Sequence, residues 1–233
     1  MLKVNNIIKK FGGLIAVNML SFQVDHDILG VMGPNGSGKT TMLNCISGIY
    51  QLDGGEIYFK GDLISGLRPY EIARRGIGRT FQVPRLFWRL TLIENMLAPV
   101  LHHRKKIDDL REKAAELLDY VGLYELRMNM AAELSGGQQK LLEFARALMF
   151  DPDLLLLDEP FAGVHPQIQT KLEKSIRELY QAGKSFILVS HDIASTYALS
   201  TRIIAMDRGQ KIAEGNPHEI QNNERVIAAY LGD

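Results

Sequence analysis

A chain of 233 residues, 46% of them apolar, is long enough to bury a sizeable interior without disulfides or a structural metal. Its lone cysteine, Cys45, excludes an intrachain disulfide, and 27 basic residues against 27 acidic ones leave no overall field that would point to nucleic acid. No run approaches the ~18 consecutive apolar residues of a membrane-spanning helix, and the N-terminus lacks an apolar core and cleavage site, so the chain is expected to stay in the cytosol.

Short apolar runs alternate with amphipathic helical patterns, which predicts an α/β fold with a parallel sheet covered on both faces. Residues 22–24 read as a strand, and Asp25-His26-Asp27 joins it directly to a second run, 28–32, expected to be buried. That run leads into Gly33-Pro34-Asn35-Gly36-Ser37-Gly38-Lys39-Thr40 and then a helix-like stretch opening with Thr41, in which Cys45 reads as a packing residue. This is a phosphate-binding loop between strand and helix. Its glycines let successive N–H groups face an anion, Lys39 adds a charge for the β- and γ-phosphates, and the Thr40 hydroxyl is suited to Mg²⁺. A turn at Asp53-Gly54-Gly55 precedes a further strand, 56–60.

Ile107, Leu110, Ala114, Leu117, Leu118 and Val121 recur at helical spacing with charged residues between them, and Leu141, Leu142, Ala145 and Leu148 mark another helix. Residues 89–150 therefore read as a mainly helical block inserted in one domain. The run 154–157 ends in Asp158-Glu159, neighbours whose side chains are expected to diverge. Asp158 is suited to hold Mg²⁺ and Glu159 to polarise an attacking water. Ile168, Leu172, Ile176 and Leu179 mark a helix that Gly183 can end, and 186–190 and 203–206 complete the predicted strands.

Leu134-Ser135-Gly136-Gly137-Gln138 stands at a helix start upstream of Asp158-Glu159, and in that order it resembles the signature motif of the ABC ATPase family. The resemblance implies a P-loop (RecA-like) core at about 1–88 and 151–233, with a small antiparallel β subdomain within 1–60 and the helical subdomain at about 89–150. It implies ATP and Mg²⁺ as ligands, and two protomers packed head to tail so that the signature residues of one touch the γ-phosphate held by the other. Gln82 matches the family's glutamine loop, which reaches Mg²⁺ and the attacking water. His191 matches the switch histidine, and Phe11 the aromatic that stacks on adenine.

Gly76 to Gln82, Arg85-Leu86-Phe87, Ser190-His191-Asp192 and 226–232 resemble the ATPases of branched-chain amino-acid importers, whereas Glu159-Pro160-Phe161-Ala162-Gly163-Val164 also resembles the ATPase of lipopolysaccharide export. A soluble ABC mechanoenzyme is a further alternative, disfavoured by the single cassette. The implied partners are integral-membrane permeases, a second ATPase subunit and, indirectly, a substrate-binding protein, with no nucleic acid; the implied place is the cytoplasmic face of the membrane. Leu86 and Phe87 are expected in the permease docking groove. His165 stands where most of the family carries an aspartate, and Asp25-His26-Asp27 is a shorter connection than the family's usual one.

Overall fold

The strands divide between two sheets, in a computed structural model that describes residues 1–101 and 106–231. In chain order the elements are β1 (Leu2–Phe11), β2 (Leu14–Val24), β3 (Ile28–Met32), α1 (Lys39–Ile46), β4 (Gly54–Phe59), β5 (Asp62–Leu63), α2 (Pro69–Arg74), β6 (Ile77–Arg79) and α3 (Leu92–Leu97). There follow α4 (Ile107–Tyr120), α5 (Gly136–Ala147), β7 (Leu154–Asp158), α6 (Pro166–Gln181), β8 (Ser185–Val189), α7 (Ile193–Leu199), β9 (Arg202–Asp207), β10 (Gln210–Gly215), α8 (Pro217–Gln221) and α9 (Glu224–Leu231). Gly232, part of the expected C-terminal resemblance, lies outside the described residues.

The smaller sheet is antiparallel in the order β2-β1-β4-β5. The larger runs β10-β9-β3-β8-β7-β6, parallel from β9 to β6 with β10 antiparallel at one edge. β3, β7 and β8 are buried at every position, as a sheet covered on both faces requires. β7 feeds two cores by simple alternation. Leu155 and Leu157 join a cluster with α3, α4, α5 and α6, whereas Leu154 and Leu156 join α1 and the antiparallel sheet. The helical block thus packs on one face of the sheet rather than around a core of its own.

β1 was not among the strands the sequence pattern suggested, and β2 is longer than the 22–24 expected. Asn6 and Met19, at φ 45° and 50°, interrupt the strands near shifts in their pairing register, so the period-two signal breaks although the pairing continues. The short connection at Asp25-His26-Asp27 is braced: Asp27 Oδ2 accepts from Asp25 N (3.2 Å) and Arg202 Nη2 (2.8 Å). His26 stacks on Tyr180 with ring centroids 4.5 Å apart. α6 ends as expected, with Gly183 at φ 96° and its N–H bonded to Tyr180 O at 2.9 Å. Cys45 is buried, and burial pushes its thiol pKa up to about 12, consistent with packing rather than reactivity.

The order β3-β8-β7-β6 sets the site. Four neighbouring strands end on the same side, and the residues that follow them are the phosphate loop, His191, Glu159 and the segment carrying Gln82. Ligands in open α/β sheets bind at this carboxyl edge.

Candidate active site

The loop after β3 is held by its own fold. Gly33 has φ 150°, and a Cβ there would lie 2.1 Å from the Met206 carbonyl oxygen. Gly38, in the left-handed region at φ 101°, caps α1, and a Cβ would lie 2.3 Å from the Ala16 carbonyl oxygen. The turn closes through Ser37 N–H to Pro34 O (3.2 Å), and Ser37 O accepts from Gly209 N (3.0 Å). Lys39 Nζ donates to Gly33 O (2.7 Å) and Pro34 O (2.9 Å). Burial lowers its pKa, while the carboxylates of Glu159 and Asp158 act in the opposite direction.

Asp158, 1% exposed, continues the alternation of β7 onto the α1 side. Its Oδ1 accepts from Thr40 Oγ1 at 3.3 Å, and its Oδ2 lies 3.4 Å from Arg79 Nη2. Burial raises its pKa, and the Arg79 charge and Thr40 hydrogen bond oppose that rise. Thr40 and Asp158 therefore offer two hard oxygen donors side by side, which suits Mg²⁺, an ion that fills the rest of its shell with phosphate and water.

Glu159 diverges from Asp158 as expected, but through more than strand alternation. It adopts φ 50°, a costly conformation for a side-chain-bearing residue, while its N–H still bonds Val189 O on β8 at 2.8 Å. Its Oε2 accepts from His191 N at 3.1 Å and stands 2.6 Å from His191 Nδ1. Lys140 of α5 fixes the Glu159 carbonyl at 2.5 Å.

One cleft of about 590 Å³ is lined by Phe11, Leu14, Ile15, Ala16, Asn35, Gly36, Gly38, Lys39, Thr40, Thr41, Gln82, Glu159 and Arg208; Gly33, Pro34, Ser37, Asp158 and His191 are not part of its lining. Phe11 is half-exposed at its edge, with Tyr50 edge-on at 5.2 Å. Phe11 is thus available to an aromatic ligand rather than sealed in a core.

The signature residues stand apart; none of the five lines that cleft. Leu134 is buried and Ser135 caps α5 in a capping box with Gln138. A Cβ at Gly137 would meet Ile168 Cδ1 at 2.4 Å, whereas one at Gly136 would meet nothing within 4 Å. His165 is exposed and caps α6, its Nδ1 accepting from Gln167 N at 3.3 Å.

One expectation needs correction, and two residues need adding. Leu86 was expected at the docking surface with Phe87, but it is only 7% exposed and packs into the core shared by α3, α4 and α5; Phe87 alone of the two is exposed. The sequence reading also passed over two buried charges, Arg79 and Glu143. The available signal was a charged residue inside an apolar run, Ile77-Gly78-Arg79 and Leu142-Glu143-Phe144.

Residues 17–162, more than half of the chain, match the family model described as ABC transporter. The chain belongs to the ABC transporter family. As an ABC cassette it is an ATP-hydrolysing motor subunit, and among the described residues no helix is long and apolar enough to cross a membrane. Residues 210–233 match a second model, Branched-chain amino acid ATP-binding cassette transporter. The cassette is 41% identical to a probable branched-chain amino acid transport ATP-binding protein, LivG, of Archaeoglobus fulgidus, across 99% of this chain and 95% of that one. It is 37% identical to the lipopolysaccharide export system ATP-binding protein LptB of Haemophilus influenzae, across 100% and 97%. Its fold matches a nucleotide-free ATP-binding cassette from an ABC transporter (TM-score 0.90, 33% identity, 100% and 99% covered). It also matches a dimeric cassette in a post-hydrolysis state bound to ADP and Pi (TM-score 0.85, 29% identity, 93% and 99% covered).

Proposed function

We propose that this cassette powers uptake of branched-chain amino acids, driving membrane permeases from the cytoplasmic face, with a substrate-binding protein acting upstream. The observation that carries this reading is the C-terminal match at 210–233, which lies beyond the residues that match the general ABC transporter model. It is tested by recovering the subunit from native membranes, identifying the permeases that accompany it, and measuring labelled leucine uptake with them. Recovery of lipopolysaccharide-export components would overturn it.

In the reaction, Phe11 stacks on adenine while the loop from Gly33 to Thr41 wraps the phosphates, with Lys39 on the β- and γ-groups. Mg²⁺, held by Thr40, Asp158 and Gln82, would supply neutralisation of phosphate charge. Glu159 accepts a proton from the attacking water, and His191, bonded to the same carboxylate, fixes its direction and reaches the γ-phosphate. Positioning and electrostatics account for most of the rate in such transfers.

The second cassette subunit supplies Ser135, Gly136, Gly137 and Gln138 to the γ-phosphate, behind an N-terminal helix dipole suited to an anion. The helical block 89–150 passes closure of the dimer from the catalytic body, 1–88 and 151–233, to the permease. Exposed Phe87, and a groove of about 210 Å³ lined by Ile72, Arg79, Phe81, Glu143, Arg146 and Phe150, form the docking face. Glu159→Gln should retain ATP, lose at least about a hundredfold in turnover and accumulate dimer on gel filtration; wild-type turnover would remove Glu159 from its role.

A further inference from the structure

Glu143 has no part in the chemistry above, yet its carboxylate is 3% exposed on the apolar side of α5. A carboxylate in such a place is costly unless its oxygens are bonded. Oε2 accepts from Phe81 N at 3.0 Å and Oε1 from Arg85 N at 2.8 Å. The two donors bracket Gln82. Arg146, on the same face of α5, stands 4.0 Å from Glu143 Oε1 and donates to the Arg85 carbonyl. α5 therefore grips the segment 81–85 at three backbone points.

The other end of the segment is tied to the sheet. Arg79 closes β6, reaches Asp158, and lies 4.8 Å from the Phe81 ring centroid, with Arg85 at 4.2 Å. Gln82 thus sits on a short bridge with one foot on the strand beside Asp158 and the other on the helix that Ser135 caps. Of the groups that hold the second foot, Glu143 alone among the described residues accepts from a backbone N–H on each side of Gln82.

We propose that Glu143 is a positioning residue for Gln82: its carboxylate latches the Gln82 segment to α5, so that the segment and the Ser135 end of the helix move as one body. The proposal rests on the role given to Gln82 above. It also gives the docking groove a route to the reaction, because Phe81, Glu143 and Arg146 line that groove.

The test is hydrogen exchange by mass spectrometry on the full chain carrying Glu143→Ala or Glu143→Gln, alongside steady-state ATP hydrolysis. Loss of both acceptors should speed exchange over 80–86 by about tenfold or more while β7 keeps wild-type protection. It should lower kcat by about tenfold and change KM for ATP by less than about twofold. Glu143→Gln, with one carbonyl oxygen for two donors, should fall between, and it decides the matter alone if the alanine variant does not fold. Unchanged exchange overturns the latch, and faster exchange with wild-type kcat overturns its bearing on the reaction. Gln82→Ala, run in parallel, separates the two ideas: wild-type hydrolysis there overturns the role of Gln82 itself, whereas slow hydrolysis there beside wild-type hydrolysis in Glu143→Ala overturns only the bearing of Glu143 on the reaction.

Discussion

The phosphate loop and the signature turn are both glycine-rich, and both precede a helix, but they need their glycines for different reasons. At Gly33 and Gly38 an added methyl would run into backbone oxygens of the same chain, and φ is positive at both. At Gly136 an added methyl meets open space and the backbone is helical. The first pair is required by the fold. Gly136 is not, so a reason for it has to be sought outside the chain, and the phosphate of a second subunit, in the role proposed above, would supply one. Gly137 lies between these cases, because its neighbour is the flexible end of Ile168.

Substitution can break or sharpen that contrast. The largest effect is expected for Gly33→Ala, which should lose at least about 3 kcal/mol of stability in chemical denaturation, because backbone has to move to admit the methyl. ATP binding should go with it. Gly136→Ala should leave stability within about 1 kcal/mol of wild type, on the favourable side, since alanine suits a helix better than glycine. Yet it should cut turnover by about a hundredfold by holding the partner's phosphate away; wild-type turnover would return Gly136 to the ranks of ordinary surface positions. The smallest effect is expected for Gly137→Ala, a loss of about 1 kcal/mol. Ile168→Val removes the offending methyl, so the two together should cost less than the sum of the single changes in a double-mutant cycle.

What could be read from the sequence was whatever chemistry ties to residue type at fixed spacing, or burial ties to a period. The phosphate loop, Asp158-Glu159, β7, β8 and α6 satisfy one or the other. β1 escaped because its alternation breaks at Asn6, and no local pattern shows that pairing resumes beyond it. Leu86 was placed on the surface because an apolar residue beside a functional loop looks the same whether it faces a partner or the core. Glu143 and Arg79 were passed over because their partners are remote: Glu143 bonds residues 62 and 58 positions away, and Arg79 pairs across 79. Only folding brings such charges to the groups that justify burying them.

The contact between Gly137 and Ile168 has a consequence for how this protein can change over generations. The two positions share one small volume between α5 and α6, so a larger residue at either calls for a smaller one at the other. In an alignment of relatives they should drift together, whereas position 136, where a Cβ would meet nothing within 4 Å among the described residues, should show no such companion.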